Sequence, residues 1–346
     1  MTEHEKVRVA VIGAGAIAGF HVDVLTRNKS AEVAALCDVR SEQAAKLAGR
    51  FGVKRTCGDY RELLKDPAID AAVVALPVYL HAPVTLDFLK AGKHVLVEKP
   101  MASSAADAEA MLAMARQQQR VLTINHNQRF DPDTSYLAKL LATGELGTIH
   151  FARCIWTRPY GCLPEPSRNW FNEKAKGGGV LFDLGTHLLD KVLALLGFPE
   201  PVQFAASLFT VLGKEQERKT GMKFDAEDLA VGMVQFANGL TIQLELGFGS
   251  HIEKALLYFE LYGDKGGAST RDGLKLFSAV QEHPMISVPG TPLPAPAVPT
   301  VPDDFVEAIL KKRAPKVTPE SGVAVTRVLE GLRQASERGW GRIRNN

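Results

Sequence analysis

The sequence predicts an α/β domain with a doubly wound parallel sheet, followed by an α+β domain built on a large, mostly antiparallel open sheet. Three observations carry this expectation. The first third of the chain alternates short β-branched runs with helical patterns, as βαβ units do. From about Asn127 the runs lengthen and begin to alternate apolar with polar residues, the pattern of strands with one face on a core. The length of 346 residues, at roughly 150 residues per domain, gives two domains, placed at 1–127 and 128–346.

In the first domain, Val7–Ile12, Glu32–Cys37, Ala71–Leu76, His94–Val97 and Val121–Ile124 read as strands buried on both faces. Helices are expected at Ala18–Arg27, Ser41–Phe51, Tyr60–Lys65, Ala82–Ala91 and Ala105–Gln118, each punctuated by Gly or by Ser or Asp near its start. In the second domain a helix at Tyr136–Thr143 precedes strands at Thr148–Thr157, Val202–Leu212, Leu229–Phe236, Leu240–Phe248 and Leu256–Tyr262. Asn238-Gly239 marks a hairpin turn. Ile242, Leu244 and Leu246 alternate with Thr241, Gln243 and Glu245, so one face meets a core and the other meets solvent or a partner. Seven of the 19 prolines fall between Pro284 and Pro302, a segment expected to run extended over the surface. It leads to helices at Asp303–Lys312 and Pro319–Arg338.

Composition narrows the function. Lys plus Arg number 41 against 39 Asp plus Glu, a net charge of +2 with no dense basic block, which argues against nucleic acid as a partner. The apolar run Val7–Ile12 is too short for a signal core, and no stretch approaches the ~20 apolar residues of a membrane span. A cytoplasmic protein is expected. Cys37, Cys57, Cys154 and Cys162 lack C-x-x-C spacing and read as reduced structural thiols. The dispersed histidines His81, His94, His126, His150 and His187 give no ligand-spaced metal cluster.

Gly13-Ala14-Gly15-Ala16-Ile17-Ala18 fits G-x-G-x-x-A between the first strand and the first helix, the context of a dinucleotide-binding Rossmann fingerprint. Gly13 permits the tight turn and Gly15 lets a pyrophosphate approach the backbone. Ala18 keeps helix and sheet close, and the helix N-terminus offers N–H groups to phosphate. Asp38 follows Gly13 by 25 residues, near the spacing of roughly 20 for the acid that bonds the adenosine ribose. A carboxylate there repels a 2′-phosphate and favours NAD; Arg40 and Ser41 leave NADP open.

Glu98-Lys99-Pro100 closes the strand His94–Val97 at the carboxyl edge of the sheet, where open α/β folds place ligands. Taken alone it is equally a surface ion pair. Gly177-Gly178-Gly179 precedes a helical pattern over Val180–Leu196, in which Asp183 and His187 stand four apart and Asp190 continues their face. A carboxylate beside an imidazole fixes its tautomer and keeps it near neutrality, as a hydroxyl-deprotonating base requires. The same pair also serves as plain packing. Arg158–Asn172 reads as the substrate loop, with Arg158, Tyr160, Arg168, Asn169 and Trp170 suited to sugar hydroxyls and ring faces, or with Trp170 in the core.

On these residues the chain resembles the Gfo/Idh/MocA family, named after glucose-fructose oxidoreductase and inositol dehydrogenase. The likeness runs through the glycine fingerprint at Gly13, Pro77 with His81, Ala91-Gly92-Lys93-His94 continuing to Glu98-Lys99-Pro100, and Asn127 to Pro132 with Arg129-Phe130. It continues through Gly177-Gly178-Gly179 with Asp183, Gly185, His187 and Asp190, then Asn238-Gly239, Gly263-Asp264-Lys265-Gly266 and Phe305-Val306-x-Ala308-Ile309.

The resemblance implies a nicotinamide-dependent oxidoreductase acting on a sugar, cyclitol or related secondary alcohol, whose second domain supplies the substrate pocket and a sheet used for homo-oligomerisation as dimer or tetramer. It implies catalysis by Lys99, Asp183 and His187, with His187 as acid/base. Cofactor contacts fall to Gly13, Gly15, Ala16, Ile17, Asp38, Arg40, Leu76, Pro77, His81, Glu98, Lys99 and Asn127. Substrate contacts fall to Lys99, Arg168, Asn169, Trp170, Asp183 and His187. Lys99-Pro100 is a candidate cis bond, against the trans preference of X-Pro generally. Two other activities fit the same motifs: a glycoside hydrolase that uses NAD transiently, with no net redox change, and a non-catalytic nucleotide-binding sensor.

Overall fold

Six strands pair throughout in parallel in the order β3-β2-β1-β4-β5-β6: β1 (Val7–Ile12), β2 (Ala31–Cys37), β3 (Thr56–Cys57), β4 (Ala71–Val74), β5 (His94–Val97) and β6 (Leu122–Ile124). Helices α1 (Ala16–Arg27), α2 (Ser41–Phe51), α3 (Arg61–Leu64), α4 (His81–Lys90) and α5 (Ala105–Gln117) connect them. Val9, Ala10, Val11 and Ala71 to Val74 are fully buried, which is why the central strands read as unbroken apolar runs. The strand order is that of a doubly wound dinucleotide-binding sheet. Only β3, two residues long, was not foreseen.

This computed structural model describes residues 6–164, 170–290, 292–293 and 300–339. The described residues fall into two compact units: those up to Asn127 together with 300–323, and those from Gln128 to 293 together with 324–339. A continuous second domain over 128–346 was expected, and the return of 300–323 to the first unit departs from it. The physical reason is α9 (Val301–Leu310), which packs against α1, β1 and β5 and fully buries Phe305. Asn28 Nδ2 donates to Asp303 Oδ1 at 2.9 Å, and Thr123 Oγ1 donates to the Val317 carbonyl at 2.8 Å.

The second unit carries an eight-stranded sheet in the order β14-β13-β12-β11-β7-β10-β9-β8. Its strands are β7 (Ile149–Pro159), β8 (Pro201–Phe209), β9 (Leu229–Phe236), β10 (Thr241–Ser250), β11 (Leu256–Gly263), β12 (Gly267–Ser269), β13 (Lys275–Val280) and β14 (His283–Ser287). All neighbours are antiparallel except β7 with β10. The unit also holds α6 (Pro132–Thr143), α7 (Thr186–Leu196), α8 (Leu212–Thr220) and most of α10 (Pro319–Arg338). Ile242, Leu244 and Leu246 enter the core with Leu188, Leu189, Val192 and Leu329, while Thr241, Gln243 and Glu245 stay half-buried on the opposite face. The alternation expected of this strand is present.

Three expectations need correction. The strand expected over Val202–Leu212 ends at Phe209, because the buried Asp228 carboxylate accepts from the Gly213 amide at 2.6 Å and starts α8. Strands β12, β13 and β14 went unread, since β12 is short and β13 and β14 are largely exposed and lack clear alternation. The proline-rich segment runs extended only in part. Pro284 sits in edge strand β14, where its missing N–H is tolerated, and Pro302 lies in the first turn of α9. Residues 291 and 294–299 of that segment lie outside the described part. No helix among the described residues is long and apolar enough to cross a membrane.

Candidate active site

In the first unit every expected cofactor residue lies at or just beyond the carboxyl ends of the parallel strands. Gly13 has φ +101°, and a Cβ on it would stand 2.2 Å from the Ala75 carbonyl oxygen, so only glycine lets β1 turn this close to β4. A Cβ on Gly15 would meet nothing within 4 Å, which leaves its backbone open to approach. Gly15, Ala16 and Ile17 are exposed, and α1 begins at Gly15 with no side-chain cap. An uncapped, accessible helix N-terminus behind a glycine turn suits a pyrophosphate.

Asp38 closes β2 with its carboxylate facing this turn. Oδ2 accepts from the Ala14 amide and Oδ1 from the Arg40 amide, both at 2.8 Å. The side chain is 8% exposed, whereas that of Arg40 is 64% exposed with Nε 3.5 Å from Asp38 Oδ1. The buried charge is therefore negative, and the positive charge lies exposed to solvent.

Beyond β4, Leu76 and Pro77 are half-buried. His81 is buried at the start of α4 with its ring nitrogens 2.8 Å from the carbonyl oxygens of Leu76 and Pro100. It thus spans the two loops that carry Pro77 and Lys99. Burial holds its pKa below the ordinary value, with the two carbonyls opposing, and a neutral ring donates to only one of them at a time.

Glu98 does not present its carboxylate to a ligand. Oε1 takes His21 Nε2 at 2.6 Å and Asn125 Nδ2 at 2.7 Å, and Oε2 takes the Lys99 amide at 3.1 Å. Burial would push this carboxyl up, but His21, Asn125 and Lys99 outweigh it and hold the pKa low. Lys99, half-buried, precedes Pro100 across a cis peptide bond, and Asn127 is exposed just after β6. His21 and Asn125 were missed in the sequence because nothing local links them to Glu98.

In the second unit the helix expected over Val180–Leu196 is not uniform. Leu181–Gly185 forms a π-turn and α7 follows. From Leu181 to Asp190 only Asp183 and His187 escape full burial, and the accessible stripe continues through Lys191 rather than Asp190. Asp190 is a correction: it is 1% exposed and bound by both arms of Arg129, with Nε to Oδ2 at 2.7 Å and Nη2 to Oδ1. It holds the fold and is not part of the accessible face.

Gly178 is forced by crowding, since a Cβ there would lie 2.4 Å from the Phe171 carbonyl oxygen and 2.6 Å from that of Trp170. This joins the segment at Trp170 and Phe171 to the glycine turn. Trp170 stacks on Phe171 with ring centroids 3.7 Å apart. Arg168 and Asn169 lie outside the described residues. A residue unforeseen in the sequence, Trp156 of β7, sets its ring 5.6 Å from that of His187, with the Arg158 guanidinium 5.5 Å from the Trp156 centroid. Its signal was the two-residue spacing to Arg158 on one strand face.

Comparison with known proteins fits this architecture. Residues 7–126 match the family model described as Oxidoreductase family, NAD-binding Rossmann fold, and residues 134–269 match the GFO/IDH/MocA C-terminal domain. The chain is 33% identical to D-glucoside 3-dehydrogenase of Escherichia coli (strain K12), over 76% of each protein. It is 30% identical to 1,5-anhydro-D-fructose reductase of Ensifer adhaerens, over 77% of this chain and 76% of that one. Among solved structures, GenD2 from gentamicin A biosynthesis in complex with NAD has a TM-score of 0.79 at 26% identity, covering 96% of this chain and 95% of that one. The protein is thus an NAD-binding oxidoreductase. More particularly, the chain belongs to the Gfo/Idh/MocA family.

The fixed carboxylate of Asp38 predicts a preference for NAD over NADP. In Asp38→Ala the ratio of NAD to NADP affinity, measured as Kd by calorimetry, should fall by at least about tenfold, equal to 1.4 kcal/mol. An unchanged ratio would remove Asp38 from cofactor selection.

Proposed function

We propose that this oxidoreductase transfers a hydride between the nicotinamide cofactor and a secondary alcohol or ketone of a sugar, cyclitol or sugar derivative. The observation that carries the reading is the pair Asp183 and His187, left accessible in a stretch where every neighbour from Leu181 to Asp190 is buried. An acid and an imidazole kept at the surface by an otherwise apolar segment suit proton transfer to and from a hydroxyl. The names of the relatives, a glucoside dehydrogenase and an anhydrofructose reductase, support a sugar as the substrate. They lend nothing to the hydrolytic alternative.

Bound NAD supplies the hydride acceptor. The chain's own groups do the rest. His187 removes the hydroxyl proton as the carbinol is oxidised, and Asp183, four residues earlier, favours the tautomer that can accept it. The Lys99 ammonium steadies the oxygen as it gains negative charge, through a charge-assisted hydrogen bond. Trp156 and Trp170 offer faces for the apolar side of a sugar ring, and Arg158 offers donors for its oxygens. Arg168 and Asn169 belong to the same reading. So does a cytoplasmic location, which suits the four unpaired cysteines.

Homo-oligomerisation is also part of the proposal. Register places Ile286, Phe277, Tyr262 and Phe151 in one row on the face of the sheet away from its core, and the first three are 64%, 37% and 39% exposed. Such a row suits a sheet-to-sheet contact. Light scattering should give a mass of at least two chains; one at 37.5 kDa rejects the assembly.

The reading is tested by incubating the protein and NAD with a panel of aldoses, inositols and alkyl or aryl glycosides, following NADH and aglycone together. Lasting NADH with at least one member is expected. Aglycone released without lasting NADH would replace the dehydrogenase with the transient-redox hydrolase.

A further inference from the structure

Beneath the glycine turn lies a buried charge pair that the proposed chemistry does not use. Glu227 is 4% exposed, and the Arg333 side chain, from α10, is 12% exposed with Nη2 3.5 Å from Glu227 Oε1. Arg333 Nη2 also donates to the Gly178 carbonyl at 3.1 Å, and its guanidinium lies 4.0 Å from the centroid of Phe182. Glu227 meets the turn with backbone and side chain together. Its carbonyl accepts from the Val180 amide at 2.9 Å, and its Oε1 from the Leu181 amide at 3.2 Å. Gly179, at φ +108°, has no room for a Cβ, which would stand 2.2 to 2.4 Å from the Glu227 carboxylate. The motif therefore needs glycine at 179 because a carboxylate fills the space a side chain would take.

We propose that Glu227 and Arg333 are positioning residues that hold the Gly177–Gly179 turn and, through it, set Asp183 and His187. The inference rests on the dehydrogenase reading of those two residues. The coupling is short: the Asp183 amide donates to the Gly179 carbonyl at 3.1 Å, so any shift of Gly179 reaches Asp183 directly. The Leu181 amide that Glu227 holds opens the π-turn, a geometry frequent at functional sites. Core filling does not account for the pair. A buried ion pair stabilises no better than apolar residues of the same volume, whereas its directed acceptors fix particular amides. Burial pushes the Glu227 carboxyl up, with Arg333 and the Leu181 amide opposing it.

The test uses the full-length protein with Glu227→Asp and Glu227→Gln. Aspartate withdraws the acceptor from Leu181 by one methylene, and glutamine keeps an oxygen there. With methyl glucoside as the probe, Glu227→Asp should lower kcat by about 10- to 100-fold, the scale of a small misplacement of catalytic groups. The Kd for NAD should stay within about twofold, amide exchange at Val180–Asp183 should quicken, and Glu227→Gln should recover most of kcat. Wild-type kcat and exchange in Glu227→Asp would overturn the proposal. If that variant fails to fold, Arg333→Lys, which keeps the charge but shortens the reach to Gly178, should show the same split between kcat and NAD affinity, and its absence would equally overturn the proposal. Should the wild-type protein turn over no sugar at all, the dehydrogenase reading falls, while amide exchange, read without substrate, still decides whether Glu227 holds the turn.

Discussion

The buried Glu98 carboxylate is the interaction on which the cofactor unit's working edge depends. It receives His21 from α1, Asn125 from just after β6 and the amide of the adjoining Lys99, so two elements remote in sequence meet the Lys99 loop on one carboxylate. A carboxylate taken out of water is costly unless its lone pairs are filled, and here a short histidine contact, an amide and a backbone N–H fill them. The result couples the helix behind the glycine turn to the loop bearing Lys99. His81 repeats the device a few residues away, spanning the loops at Leu76 and Pro100. Lys99 thus stands on a rim fixed from within, the kind of support that preorganised electrostatic stabilisation requires.

The second unit solves a similar problem differently. Its candidate acid/base pair sits where a glycine turn passes into a π-turn, and the glycines are needed because backbone carbonyls and a carboxylate crowd the space their side chains would take. Asp190, in the same helix, binds Arg129 and is buried with it. Two acids seven residues apart therefore have opposite fates. One stays accessible in the candidate site, and the other is spent on holding the fold.

What could be read in the sequence was what local spacing encodes. G-x-G-x-x-A with Asp38, Glu98-Lys99-Pro100 and the Gly177–His187 segment are each set by a single turn, and the parallel sheet follows from runs that must be apolar on both faces. What tertiary structure brings together could not be read: His21 and Asn125 on Glu98, Arg333 beside Glu227, and the return of 300–323 to the first unit. Strands β13 and β14, at one end of the sheet, hid because exposed strands lack the apolar alternation that marks buried ones. Asp190 misled for a related reason. Helical spacing gives the face a residue shares, but burial decides whether it meets solvent, and only packing sets burial.

The proposed function asks Lys99 and His187 to act on the same substrate hydroxyl. Single-turnover hydride transfer to NAD, measured in Lys99→Ala and His187→Ala beside the wild-type protein, tests this most directly. Each variant should transfer hydride more slowly by about 10²–10⁴-fold, the usual share of a general base, and in His187→Ala NAD affinity should stay nearly unchanged. A wild-type transfer rate in either variant would contradict the account.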